Sequence, residues 1–216
     1  MASMEITLLY TQAITNGVYS VNVTYPSGKP TGIIVACLMG RYSDLQESTV
    51  TIGGVSATKF AAENEGYSHI ALFGVQNMTP GVKTVSVNST ALHDHMMFVY
   101  CVTNCRGWAT SNIIPHNEIQ GTQIHSPVLE VGQLWVEHGR SRTSTYFTGG
   151  SGQTILANYD QPDGSDLMYR IIYKFDAGIG SRSFSVTFPS TAEQSYLGVE
   201  YLPFGKIFEI PPLAIG

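Results

Sequence analysis

Apolar side chains in this chain return at every second position, and no window of about eleven residues carries them at helical spacing. A chain patterned this way buries its apolar surface as strands. Ser20-Val21-Asn22-Val23-Thr24-Tyr25 puts Val21, Val23 and Tyr25 on one face and the polar residues on the other, and Pro26-Ser27-Gly28 ends the run. Lys83-Thr84-Val85-Ser86-Val87 repeats the pattern after Thr79-Pro80-Gly81. Ser183-Phe184-Ser185-Val186-Thr187-Phe188 shows it again and closes at Pro189. Residues 33–39, 70–75, 96–102 and 171–175 are apolar on both faces, as central strands covered on both sides would be. The fold class is all-β, an antiparallel β-sandwich.

Gly53-Gly54 supplies the positive φ that a two-residue hairpin loop needs, so residues 50–58 should form a hairpin. The order of elements then repeats after roughly 100 residues, a spacing too long for a solenoid unit. Gly53-Gly54 aligns with Gly149-Gly150, Thr84-Val85-Ser86-Val87 with Ser183-Phe184-Ser185-Val186, and Phe98-Val99-Tyr100 with Gly198-Val199-Glu200. Two related sets of antiparallel strands imply two sheets, or a duplicated sandwich, around one core.

The strings Ser-Val-Asn-Val-Thr-Tyr-Pro-Ser-Gly from Ser20, Val-Thr-Ile-Gly-Gly-Val-Ser-Ala-Thr from Val50 and Gly-Val-Lys-Thr-Val-Ser-Val from Gly81 resemble a jelly-roll-type domain of phage virion proteins and bacterial surface proteins. Gly-Gly-Ser-Gly-Gln-Thr-Ile-Leu-Ala from Gly149, Tyr-Arg-Ile-Ile-Tyr-Lys from Tyr169 and Ser-Phe-Ser-Val-Thr-Phe from Ser183 continue the likeness. It covers residues 18–203 and implies a jelly-roll-like sandwich without enzymatic activity. The expected organisation is an N-terminal arm over residues 1–17, the sandwich over 18–203 with halves near 18–104 and 125–203, and an apolar C-terminal arm over 204–216.

That tail is nearly uncharged, and Pro211-Pro212 bars a helix, so it is expected to be extended. Ile207, Phe208, Ile210, Leu213 and Ile215 are its expected partner contacts, added to a neighbouring subunit. Charged residues are only 12%, about half the roughly 25% of an average soluble domain. Surfaces so poor in charge suit subunit interfaces. A net charge of −5 argues against nucleic acid as a partner. The longest apolar run is far too short to span a bilayer, and the first fifteen residues lack a secretory signal, so no membrane partner is expected. Cys37, Cys101 and Cys105 are an odd set inside apolar runs and read as small buried hydrophobes. A Cys101–Cys105 bridge across Thr103-Asn104 stays open, and a fold that does not depend on it suits assembly in a reducing cytoplasm.

Chemistry is sparse. His93 and His95, two apart around Asp94, would share a strand face, but His69, His116, His125 and His138 stand at no recognised ligand spacing, so no metal is expected. Asp160, Asp163 and Asp166 fall in a Pro- and Gly-containing stretch that reads as a solvated turn and lacks the calcium-loop pattern. Gly149-Gly150-Ser151-Gly152 is not a nucleophile elbow, and no phosphate-binding loop occurs. No catalytic residue and no cofactor are assigned. Trp108, read as lying in the loop after Cys105, and Tyr146 and Tyr159 are candidate ligand platforms; Phe147, Tyr169 and Trp135 share the aromatic character.

The functional expectation is a non-enzymatic structural protein of a tailed-bacteriophage virion, most simply a capsid decoration (cement) subunit. It would assemble in the host cytoplasm as a homo-oligomer, a trimer, bound to the major capsid protein or other virion subunits. The alternative is a receptor- or carbohydrate-binding module of a tail or cell surface.

Overall fold

The computed structural model describes residues 3–204 apart from 16, 42–44, 46–47, 64–67, 90–94, 118–120, 126–127, 130–132, 143–145, 147, 161–166, 177–179, 182–183 and 189–193. The chain opens with β1 (Glu5–Ile14), β2 (Gly17–Tyr25), β3 (Gly32–Arg41), β4 (Thr49–Ile52) and β5 (Val55–Ser56). Then come β6 (Thr58–Glu63), β7 (Ser68–Met78), β8 (Gly81–Ser89) and β9 (His95–Thr103). The second half forms β10 (Cys105–Asn117), β11 (Gly121–His125), β12 (Val128–Leu129), β13 (Gln133–Arg142) and β14 (Thr148–Gly149). It ends with β15 (Thr154–Asp160), β16 (Leu167–Asp176), β17 (Gly180–Ser181), β18 (Phe184–Phe188) and β19 (Gln194–Pro203).

Strand order reveals two copies of one plan. Inner sheet 1 runs β1-β9-β3-β7-β6, and inner sheet 2 runs β10-β19-β13-β16-β15. Outer sheet 1 runs β2-β8-β4-β5, and outer sheet 2 runs β11-β18-β14. Strands from opposite ends of each half lie side by side, which is the jelly-roll arrangement. All pairings are antiparallel. Even the edge irregularities match: one register shift falls between Lys59 and Ala61, its counterpart between Ile155 and Ala157.

Alternation sorts the side chains into layers. Ile34, Ala36, Leu38, Phe73, Met97, Val99 and Cys101 face outer sheet 1 and meet Val23, Tyr25, Val50, Ile52, Val85 and Val87. Ile33, Val35, Cys37, Met39, Phe98, Tyr100 and Val102 point the other way, onto Leu134, Val136, Tyr169, Ile171, Leu197, Val199 and Tyr201 of inner sheet 2. Outer sheet 2 covers the far face of inner sheet 2, where a Cβ at Gly149 would come within 2.8 Å of Ile172 Cδ1. The inner sheets pack with β1 against β15 and β10 against β6, as a pseudo-twofold axis between the halves requires.

Several expectations stand and others are corrected. Gly53 and Gly54 hold φ of 60° and 80° in the β4–β5 hairpin, as its two-residue loop demands. Residues 33–39, 70–75 and 96–102 are buried on both faces, whereas the 171–175 run emerges at Phe175, 43% exposed. The aligned repeats slide against each other. Val35 pairs with Tyr100 and its counterpart Val136 with Val199, so Tyr100, not Val99, matches Val199. Gly53 and Gly150 donate to the carbonyls of Thr84 and Ser185, so those two pairs correspond. Period-2 segments look alike after a small slip, and only the pairing fixes the face.

The N-terminal segment expected as an arm is instead the edge strand of inner sheet 1, paired along β9. The halves therefore begin at β1 and β10, and Asn104, at φ 52°, joins them. This one-residue crossover sends Cys101 to the outer core of the first half and Cys105 to the shared core, so no bridge forms and all three cysteines are free and buried.

Pseudo-symmetry is kept with exchanged volumes. The Trp108 ring stacks on Phe60, centroids 4.0 Å apart, over Gly74, where a Cβ would come within 2.8 Å of the indole. In the corresponding place Tyr173 stands for Gly74, Leu156 for Phe60 and Ile6 for the indole, all packed on the shared core. Gly74→Ala should therefore cost about 1–3 kcal/mol in urea unfolding through overpacking. The cost should shrink to less than about 1 kcal/mol when Trp108→Leu is already present. Equal costs in both backgrounds would place the strain elsewhere.

Candidate functional site

Buried titratable residues often mark sites, and two polar networks lie inside the molecule. In the shared core His138 Nδ1 lies 3.0 Å from the Leu197 carbonyl, Tyr100 Oη lies 2.9 Å from His138 Nε2, and the Tyr100 and Tyr201 hydroxyls are 2.6 Å apart. The carbonyl only accepts, so Nδ1 carries the proton and Nε2 accepts from Tyr100, which in turn accepts from Tyr201. Burial holds His138 neutral, its pKa lowered to about 4, opposed by the Leu197 bond. The chain crosses from Tyr100 in one half to two residues of the other and pins their registers.

A second network lies on the opposite face of β13, under the β14–β15 turn. Glu137 Oε1 accepts from Trp135 Nε1 at 2.9 Å and from the Tyr196 hydroxyl at 2.7 Å, and Oε2 accepts from Gln153 Nε2 at 2.7 Å. Trp135 and Tyr196 fit because Gly198 beside them has no side chain; a Cβ there would come within 2.4 Å of the indole. Burial pushes the Glu137 carboxyl up to about 7; the three hydrogen bonds and the Lys174 charge pull it down by less. Glu200, paired with Trp135 across β19, is also buried. A raised carboxyl beside another resembles a general acid, but both are closed off from solvent and Glu137 is held by three donors.

The two groups titrate in opposite senses. Unfolded, His138 takes a proton near 6.5 but folded only near 4, so its contribution to stability falls as pH drops across that range. Unfolded, Glu137 loses its proton near 4.5 but folded only near 7, so stability falls as pH rises between them. Each slope is about 1.4 kcal/mol per pH unit, and from 4.5 to 6.5 they cancel. Across that window the urea-unfolding free energy of Glu137→Gln should rise with pH, that of His138→Gln should fall, and the parent should stay nearly level. Parallel slopes in all three chains would refute both assignments.

The residues singled out from sequence do not converge. Trp108 lies in β10, its ring packed between inner sheets, because the crossover is Asn104 alone and no loop follows Cys105. Tyr159 is half-buried beside Tyr169, centroids 6.5 Å apart. Tyr146 differs: the Arg170 guanidinium lies 4.5 Å from its ring centroid, and Arg170 Nε donates to Asn158 Oδ1 at 2.7 Å on the outward face of inner sheet 2. His95 is buried with Nε2 3.2 Å from Ser89 Oγ, and His69 and His95 flank Gly40 in register, while His138 lies in another core. His93 and Asp94 lie outside the described residues, as do Asp163, Asp166 and the five tail contacts Ile207, Phe208, Ile210, Leu213 and Ile215. Among the described residues no three His, Cys, Asp or Glu side chains gather as a metal site.

One surface stands out although its residues form no motif. The outward positions of outer sheet 1 are Val18, Ser20, Asn22 and Thr24 on β2, Val82, Thr84, Ser86 and Asn88 on β8, and Thr49 and Thr51 on β4, without a charge among them. Val18 and Val82 are 72% and 64% exposed. Ser20 and Ser86 bond at 2.8 Å, and Thr84 donates to Asn22 at 2.8 Å, so the polar side chains tie to one another across the strands. The signal was present in the alternation itself, in the identity of the residues opposite the apolar ones. Comparisons with protein families, with curated proteins and with solved structures return no match for the chain.

Proposed function

We propose that the chain is a non-enzymatic structural protein of a tailed-bacteriophage virion, a capsid decoration subunit that binds shell proteins and its own copies. The observation that carries this reading is the uncharged, internally hydrogen-bonded outer face of outer sheet 1. A pleated face without charges can be covered by another subunit at little desolvation cost, because no isolated ion must leave water. The His138 and Glu137 groups inside the molecule hydrogen-bond to neighbouring strands and the β14–β15 turn, which supports a reading based on surface contact. Jelly rolls recur in viral capsids and also in lectins, so the architecture is compatible with this role and does not select it.

Copies bound around a shell, as trimers, would stabilise it by burying apolar and neutral polar area, at about 25 cal/mol per Å² of apolar surface before the entropy of association. The double variant Thr84→Lys, Ser86→Lys should unfold within about 0.5 kcal/mol of the parent. Added to undecorated particles, it should bind at least about tenfold more weakly, counted by particle-associated protein after sedimentation. Undiminished occupancy would remove this face from the account, and failure of the parent chain to bind particles would remove the virion role.

A second reading, a carbohydrate-binding module, draws on Tyr146 with Arg170 and Asn158. An aromatic ring beside amide and guanidinium groups suits a sugar's apolar face and hydroxyls. Glycan-array binding by the parent that disappears in Tyr146→Ala would favour recognition over cementing.

A further inference from the structure

Two side chains tie the β14–β15 turn to inner sheet 2, Lys174 through the Ser151 carbonyl and Gln153 through Glu137, and the Gln153 amide has a fixed sense. The Gly150 N–H, shared with the Ser185 carbonyl at 2.8 Å, donates to Gln153 Oε1, and Gln153 Nε2 donates to Glu137 Oε2 at 2.7 Å. Turning the amide over would set its NH2 group against the Gly150 N–H, so the amide has one satisfied orientation, and that orientation needs an acceptor at Glu137 Oε2. Glu137 Oε1 already takes two donors, from Trp135 and Tyr196, and so leaves Oε2, with one, as the better seat for a proton. A proton on Oε2 would face the Gln153 NH2 group donor to donor.

We propose that Glu137 and Gln153 form a proton-sensitive latch, closed on the β14–β15 turn while the carboxylate is ionised and released when it takes a proton. The groups facing Glu137 fix the sense. Lys174 on β16 favours the ionised form and also reaches the turn, donating to the Ser151 carbonyl at 3.2 Å. From β19 come Tyr196, a donor to the carboxylate, and the buried carboxyl group of Glu200. Trp135 on β13 donates, and the described turn residues 149–153 carry no ionisable group. Burial places the exchange near neutrality, at about 7, where a modest change in pH moves it. Because β14 is an edge strand of outer sheet 2, the released turn loosens that sheet's hold on inner sheet 2. The two consequences of one proton then run oppositely: protonation of Glu137 adds its own contribution to global stability, which His138 offsets below about 6.5, while it frees this turn.

The test needs only the intact chain, followed by NMR from pH 5 to 9. The Glu137 carboxyl carbon and the Gln153 side-chain amide should titrate together with a midpoint near 7. The exchange of the Gln153 amide protons, corrected for intrinsic rate, should speed at least about tenfold below that midpoint. In Tyr196→Phe the midpoint should rise, since a bond to the ionised form is lost, and the Gln153 response should persist. A Glu137 carboxyl that titrates in the ordinary range overturns the proposal. So does a Gln153 amide that stays unchanged while Glu137 titrates, which would seat the proton on Oε1 toward Tyr196.

Discussion

The contact between the two inner sheets is the constraint on which the rest depends. Each inner sheet must bury two faces, one under its own outer sheet and one against the other half, so residues 32–40 of β3 and 95–103 of β9 have no side chain left for water. Only an apolar run such as residues 33–39 can serve there, while the outer sheets keep strict alternation because one of their faces stays wet. The different patterns that recur along the chain thus report layer position, inner or outer. The low charge content follows from the same geometry, since so many strand positions are interior.

Polar interior groups make this packing specific. Apolar rows alone would tolerate a slip of two residues, which preserves the face while shifting every contact. The Tyr201–Tyr100–His138 chain admits no such slip, because the carbonyl of Leu197 fixes the imidazole tautomer and the tautomer fixes the direction of both phenols. Glu137 does the same on the next interface, gathering an indole, a phenol and a turn amide. Neither network recurs in the other half: the counterpart of Val199 is Tyr100, and β3 offers Ala36 and Cys37 where β13 has Glu137 and His138. The duplicated plan is shared, and the devices that lock it belong to one half.

Much of the architecture was legible in the residues. Alternation in 20–25, the doubled glycine at 53–54 and the double-faced apolar runs at 33–39, 70–75 and 96–102 each have one consequence, and each is present, while the 171–175 run is a strand covered only in part. Repeat register was not legible, because a one-residue slip in Val99-Tyr100 inverts the face and a two-residue slip from Ser185 to Ser183 keeps it, and both change similarity little. Trp108 was misplaced since Cys105-Arg106-Gly107 reads as turn chemistry, whereas Asn104 alone makes the crossover and the strand resumes at once. The polar networks reach up to 101 positions along the sequence, and no spacing rule connects Tyr100 to Tyr201 or Tyr196 to Glu137. Their trace was the string Trp-Val-Glu-His at 135–138, with ionisable side chains inside an otherwise apolar strand.

The halves, on this account, stand or fall together, since neither inner sheet can lose its partner without opening the apolar rows of Val35, Phe98, Val136 and Leu197 to water. Urea unfolding of the intact chain, followed residue by residue by native-state hydrogen exchange in β3, β9, β13 and β19, measures this directly. The expected result is one shared opening free energy for the four strands, coincident with the loss of fluorescence change from Trp108 and Trp135. Two separate opening energies, one for residues 5–103 and another for 105–203, would contradict it.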